Sequence, residues 1–187
     1  MLSRLKTSFQ DWFGSDSLLA ARPSGTFVKG INLGGGEVTI EGYAWESYST
    51  ALNQGLTIPD AASAVTSVQP IPYVKPQVRQ MLNSVVYRRH RLEIQQILPN
   101  GAYQVYLWMM ENYQPNWHSF EVSLADQTVA TGIGKLAIGQ WMRYGGYPAI
   151  VDEGILRLAI VAENPEIDAH LMGISIFAAE ARLFTAS

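Results

Sequence analysis

Between His90 and Leu124 apolar and polar residues alternate with the period of two that a half-buried strand requires. Leu92, Ile94 and Leu98 mark the buried side of a first strand. Pro99-Asn100-Gly101 then supplies a turn, because Asn and Gly tolerate positive φ. Tyr103, Val105, Leu107 and Met109 form one face of a second strand, and Tyr106, Trp108 and Met110 form the other. A strand apolar on both faces needs a cover over its second face, from the N-terminal segment, the long stretch 41–83 or another subunit. His118, Phe120, Val122 and Leu124 alternate with Ser119, Glu121 and Ser123 in a third strand. Before it lies Glu111-Asn112-Tyr113-Gln114-Pro115-Asn116-Trp117, an aromatic loop at a sheet edge, a common way to present a binding surface.

The flanking chain continues the β pattern. Phe27 to Asn32 reads as a strand, Leu33-Gly34-Gly35-Gly36 as a turn and Glu37 to Ile40 as the returning strand. Residues 41–83 read as irregular, the length expected of a binding loop or a cover for the core. Val85 to Arg88 restarts the sheet. Gln127–Ile133, the aromatic and glycine-rich 140–148, the Asp152-Glu153-Gly154 turn with its flanking strands, and Met172 to Ala178 complete about ten short strands. The predicted fold class is all-β, a jelly-roll-type β-sandwich of two antiparallel sheets. Only residues 1–22 carry a helical pattern. Leu2, Leu5, Phe9, Trp12 and Phe13 share one stripe, which predicts an amphipathic helical arm (1–22) ahead of the sandwich domain (23–187).

Composition narrows the function. The 187 residues are 48% hydrophobic and 16% charged, enough to bury one good core. Thirteen basic against sixteen acidic residues, with no basic run, lack the footprint of a nucleic-acid binder. The absence of cysteine removes disulfides, thiolate nucleophiles and thiolate metal sites. No apolar run reaches the roughly 18 residues of a membrane span, and the N-terminus lacks the apolar core of a signal peptide. The expected location is therefore cytoplasmic or particle-associated.

Four segments, taken in order, resemble malectin and the malectin-like carbohydrate-binding modules. They are Ile31-Asn32-Leu33-Gly34-Gly35, then Gly42-Tyr43-Ala44-Trp45-Glu46, then Pro99 to Leu107 continuing through Glu111-Asn112-Tyr113 and Phe120-Glu121-Val122, and finally Asp152 to Leu156 with Gly173 to Ile176. The resemblance runs from about Phe27 to Ala179. It implies a jelly-roll sandwich that binds oligosaccharide through aromatic and acidic loop residues. By that resemblance Trp45, Tyr87, Arg88, Tyr113 and Glu163 are carried over as site residues. Trp117, in the same aromatic loop, joins them as a stacking ring.

The chemistry of those residues fits. The C–H face of a sugar ring stacks on an aromatic surface while Arg and Glu satisfy its hydroxyls. Plain packing of these rings at the end of the sandwich is the competing interpretation. Glu46, Glu111, Asp152 and Glu163 offer no spacing that marks a pair of glycosidase carboxylates, and no Gly-x-Ser-x-Gly nucleophile motif occurs, so no catalysis is expected. His90, His118 and His170 are scattered and not at metal-ligand spacing. No cofactor is expected, with a structural calcium left open. The expected partner is an oligosaccharide or glycan. The alternative is a structural or assembly protein, such as a virion or other particle component, that forms oligomers through residues 1–22. Rings around a concave cleft favour sugar, and a flat apolar patch continuous with 1–22 favours assembly.

Overall fold

The computed structural model describes residues 23–179. The expected helical arm, residues 1–22, lies outside the described residues. Fourteen strands and two short helices follow one another. They are β1 (Thr26–Asn32), β2 (Val38–Ile40), β3 (Tyr43–Ser47), α1 (Tyr48–Asn53), β4 (Leu56–Thr57), β5 (Ala62–Val65) and α2 (Pro76–Leu82). After these come β6 (Ser84–Arg89), β7 (Arg91–Ile97), β8 (Gly101–Met110), β9 (Phe120–Leu124) and β10 (Gln127–Ile133). The last four are β11 (Trp141–Val151), β12 (Ile155–Ala162), β13 (Asp168–Leu171) and β14 (Gly173–Ala178).

The chain is an all-β sandwich. One layer is a six-stranded sheet in the order β11-β8-β14-β1-β3-β2. The other layer divides into a five-stranded sheet, β10-β9-β12-β7-β4, and a three-stranded sheet, β13-β6-β5, so two expected sheets become three. One pairing is parallel, with Ile31 of β1 opposite Glu46 of β3 and Asn32 opposite Ser47. The β2–β3 hairpin causes it. Its turn uses Glu41 and Gly42, both at positive φ, and it returns to the edge of β1 with β3 innermost.

The main core lies between the layers. Val105 and Leu107 of β8 and Ile174 and Ile176 of β14 meet Leu92, Ile94, Val122, Leu158 and Ile160 of the five-stranded sheet. The second face of β8 is covered by the stretch 41–83. Trp108 and Met110 join Val38, Ile40, Trp45, Met81, Leu82, Val85 and Met172 in a second buried cluster.

This stretch is more ordered than its composition predicts, because its two helices are too short to show a periodic stripe. Ser47 caps α1, its hydroxyl accepting the Thr50 N–H at 3.1 Å. Pro76 opens α2, where its missing N–H costs nothing. Asn83 closes that helix and ties down the strap before it. Its side chain donates to the carbonyls of Arg79 and Val68 and accepts from the Thr66 hydroxyl.

Trp45 belongs to this second core. It is 3% exposed, with its ring edge-on to Trp108 at 5.9 Å. Gly30 and Gly173 make room for it, since a Cβ at either would lie 2.5 or 2.9 Å from the indole. Leu82→Ala should lower stability by about 2–5 kcal/mol and Trp45→Ala by about 3–5 kcal/mol. Val65→Ala, at a side chain 75% exposed, should stay within about 0.5 kcal/mol. Denaturant midpoints of the three variants check the cover assigned to β8.

Candidate functional site

A cavity of about 370 Å³ opens where the three-stranded sheet meets the loop that follows β8. Strand alternation supplies one wall. Tyr87 pairs with His170 and Arg89 with Asp168 across β6 and β13, so these four side chains share a face. Ala64 and Thr66 border the same side, and Glu166 closes the rim. Asn112, Tyr113, Trp117 and His118 of the loop form the opposite wall. Tyr113 and Trp117 meet with ring centres 5.5 Å apart and planes at 62°, and both remain open to solvent.

The loop is held from below. Glu111, at the end of β8, is 1% exposed, and its carboxylate takes two hydrogen bonds. The Tyr113 N–H donates to Oε1 at 2.9 Å, and His118 Nδ1 lies 2.8 Å from Oε2. A carboxylate only accepts, so His118 donates its Nδ1–H to Glu111. The backbone of Glu111 is tied as well, its N–H donating to Gln140 at 3.0 Å and its carbonyl accepting from Gly139 at 2.8 Å. Further out, Asn116, at positive φ, donates to the Leu136 carbonyl at 2.8 Å.

His118 in turn packs edge-on against His170, with ring centres 4.2 Å apart, and Phe120 closes the box at 5.2 Å from His170. Burial pushes the His170 pKa well below the ordinary histidine range, and the neighbouring His118 adds to the shift. At the mouth, Arg89 lies 3.1 Å from the Asp168 carboxylate and 3.8 Å from that of Glu166, and it also donates to the Glu166 carbonyl. The rim charges are thus largely paired with one another.

Of the six residues singled out from sequence, the structure gathers Tyr87, Tyr113 and Trp117 around this cavity. Trp45 is sealed in the second core and presents no ring to a ligand. Arg88 lies on the other face of β6, 3.3 Å from Asp60, and Arg89 takes the position facing the cavity. Glu163 stands outside, 3.8 Å from Lys135, and Glu166 three residues on lines the rim instead. Arg89, Glu166 and Asp168 line the cavity without a signal singled out in the sequence, and His118 and His170, which read there as scattered histidines, line it too. The period of β6 was a usable signal for Arg89, since Tyr87 and Arg89 share a parity. The meeting of His118 with His170 left no local signal.

Of the carboxylates weighed for catalysis, Glu46 is held by Lys29 at 2.8 Å, Glu111 by His118 at 2.8 Å, and Glu163 lies 3.8 Å from Lys135. Among the described residues no group of three or more His, Asp and Glu side chains is placed to hold a metal ion. No helix among them is long and apolar enough to cross a membrane.

No family model matches the chain, and no curated protein matches it either. Solved structures share its fold. The plant receptor-like kinase FER superposes with a TM-score of 0.64 at 16% identity, covering 85% of this chain and 43% of that one. The extracellular domain of ANXUR2 from Arabidopsis thaliana gives 0.64 at 17% identity, covering 83% and 49%. A beta-glucuronidase of Bacteroides uniformis gives 0.62 at 11% identity, covering 81% and 18%. The neighbours thus include the malectin-like extracellular domains of plant receptor kinases, and this chain spans less than half of each of these structures.

The depressed His170 pKa sets a pH dependence of stability. The unfolded chain takes up the proton near pH 6.5 while the folded chain refuses it. Stability should therefore be unaffected by this group above about pH 6.5 and should fall as pH drops below that value. Urea unfolding at pH 7.5 and pH 5.5 measures the drop, which should shrink in His170→Phe.

Proposed function

We propose that this chain is a non-catalytic carbohydrate-binding module that holds one sugar unit in the cavity between the 111–118 loop and the β6–β13 face. The observation that carries this reading is the pair of solvent-open rings, Tyr113 and Trp117, inclined at 62° over a cavity with a polar rim. Two inclined aromatic faces offer stacking to the C–H side of a pyranose, and Arg89, Asp168, Glu166 and Asn112 offer hydrogen bonds to its hydroxyls. The rings lie on a loop fixed by a buried carboxylate, so little ordering is left to occur on binding. The shared fold with malectin-like ectodomains and with part of a glucuronidase is consistent with this reading but does not carry it, because one fold hosts many functions.

The second reading, protein assembly, draws on a row of rings across the outer face of the six-stranded sheet. Tyr43 stacks on Phe27 at 4.2 Å, Phe27 meets Phe177 at 5.4 Å, and Tyr106 meets Phe177 at 5.7 Å. This row begins in β1, directly after the segment proposed as an assembly arm. It consists mainly of rings packed on one another, with Tyr43 38% exposed and Phe177 2% exposed. The cavity is the more open of the two surfaces.

A glycan array probed with the wild type, Tyr113→Ala, Trp117→Ala and Trp45→Ala tests the choice. Each loop variant should keep the wild-type melting temperature and weaken saccharide binding by about tenfold, the loss of roughly one stacking contact. Trp45→Ala should instead lose stability. Absence of saccharide binding by the wild type, together with an oligomer that dissociates when residues 1–22 are deleted, would leave assembly as the function.

A further inference from the structure

The floor of the cavity holds a polar side chain with no partner. His170 is 5% exposed and lines the cavity, yet among the described residues its imidazole makes no hydrogen bond, only ring contacts with His118 and Phe120. Nor is the ring sealed. The buried side-chain atoms that lack both solvent and partner are Asn32 Oδ1, Gln96 Oε1 and Ser119 Oγ, and neither His170 nitrogen is among them. The ring lines the cavity with no partner among the described residues for either nitrogen. A phenylalanine or leucine would fill this place without the cost of burying an imidazole that no protein group satisfies. His118 beside it differs, since Glu111 occupies its Nδ1 at 2.8 Å.

We propose that His170 is a ligand-contacting residue that reads one hydroxyl of the sugar held against Tyr113 and Trp117, and thereby selects against a charged substituent at that position. The inference rests on the sugar-binding reading above. A hydroxyl both donates and accepts, and so does an imidazole that carries a single ring proton. Burial and the adjacent His118 keep His170 neutral at pH 7, so it offers no cation to a carboxylate or sulfate. The charged groups nearby do not change this. Glu111 is engaged by His118 and the Tyr113 amide, and Arg89 is engaged by Asp168 and Glu166. A charged substituent brought to the floor would lose its water and meet only an Arg89 already shared between Asp168 and Glu166. Sites that hydrogen-bond a hydroxyl discriminate strongly for this reason, because the analogue lacking it leaves a buried polar group unpaired.

The test uses a printed array of neutral, uronate-bearing, sulfated and amino-sugar glycans, probed with the full chain as wild type, His170→Phe, His170→Gln and Trp117→Ala. The expected result is wild-type binding to neutral glycans. His170→Phe should cost about tenfold, one hydrogen bond's worth, and His170→Gln should restore part of it through its amide. Glycans charged on the bound unit should bind the wild type at least about tenfold more weakly than their neutral parents. If Trp117→Ala abolishes binding while His170→Phe leaves it unchanged, the sugar site stands and the role of His170 is overturned. Wild-type preference for the charged glycans overturns it too. If the wild type retains no glycan, the sugar-binding reading fails and carries this one with it. Should His170→Phe not fold, the ¹⁵N imidazole resonances of His170 in the wild type decide. They should shift on adding the best array glycan, and unmoved resonances overturn the contact.

Discussion

The burial of β8 on both faces is the constraint on which the rest of this structure depends. Its odd-numbered side chains, Tyr103 to Met109, complete the core between the layers, while Trp108 and Met110 on the other side cannot face water. From Leu107 to Met110 the strand has no wet face, and that end needs material from elsewhere in the chain. The stretch 41–83 supplies it, with Trp45 from β3 and Met81 and Leu82 from α2, all at most 3% exposed. Asn83 and the Thr66 hydroxyl then tie the strap to the end of that helix. The irregular composition of 41–83 thus reflects a cover that must follow the outline of a sheet, which short helices and extended straps do better than one long element.

The same strand positions the candidate site. Running two-sided burial to Met110 leaves the next residue, Glu111, inside the protein as well, and a buried carboxylate has to be met by donors. The donors it finds are the Tyr113 amide and His118, the two sides of the loop that carries the exposed rings. Satisfying Glu111 therefore fixes the loop. The opposite wall follows from the split in the second layer. Because β6 and β13 pair with each other apart from the five-stranded sheet, their outer face is turned to the loop end, and Tyr87, Arg89, Asp168 and His170 come with it.

Much of the architecture was legible in the alternation of apolar and polar residues. The three central strands, the turn at Pro99–Gly101 and the all-β class follow from period two, because each strand has at least one face whose burial is decided locally. What escaped was phase and partnership. Arg88 and Arg89 are equivalent in composition, and only the registration of β6 against β13 decides which of them faces the cavity. Trp45 has the residue type of a sugar platform. Its burial depends on Gly30 and Gly173, distant in sequence, leaving space for the indole. The ring pair at the floor is more remote still. His118 and His170 belong to separate segments and meet only because β13 is brought across to β6.

Aromatic residues make up 11% of this chain, and their placement relative to β8 separates packing from recognition. Trp45, Trp108 and Trp141 lie over the outer face of β8, where Trp141 stacks on Trp108 at 5.7 Å and Arg143 lies 5.3 Å above the same ring. There Trp141 and Arg143 both have partners for their polar tips. The Trp141 N–H donates to the Pro72 carbonyl at 2.9 Å, and Arg143 is paired with Glu41. Beyond the end of the strand the accounting changes. Tyr113 and Trp117 keep a face in solvent, and His170 keeps unsatisfied nitrogens in a cavity. His170 differs from the sealed, unpartnered atoms Asn32 Oδ1, Gln96 Oε1 and Ser119 Oγ in lining a cavity that a ligand can enter. Its imidazole gains a physical rationale when a ligand supplies the missing partner, and that separates a recognition site from a loosely packed end of the sandwich.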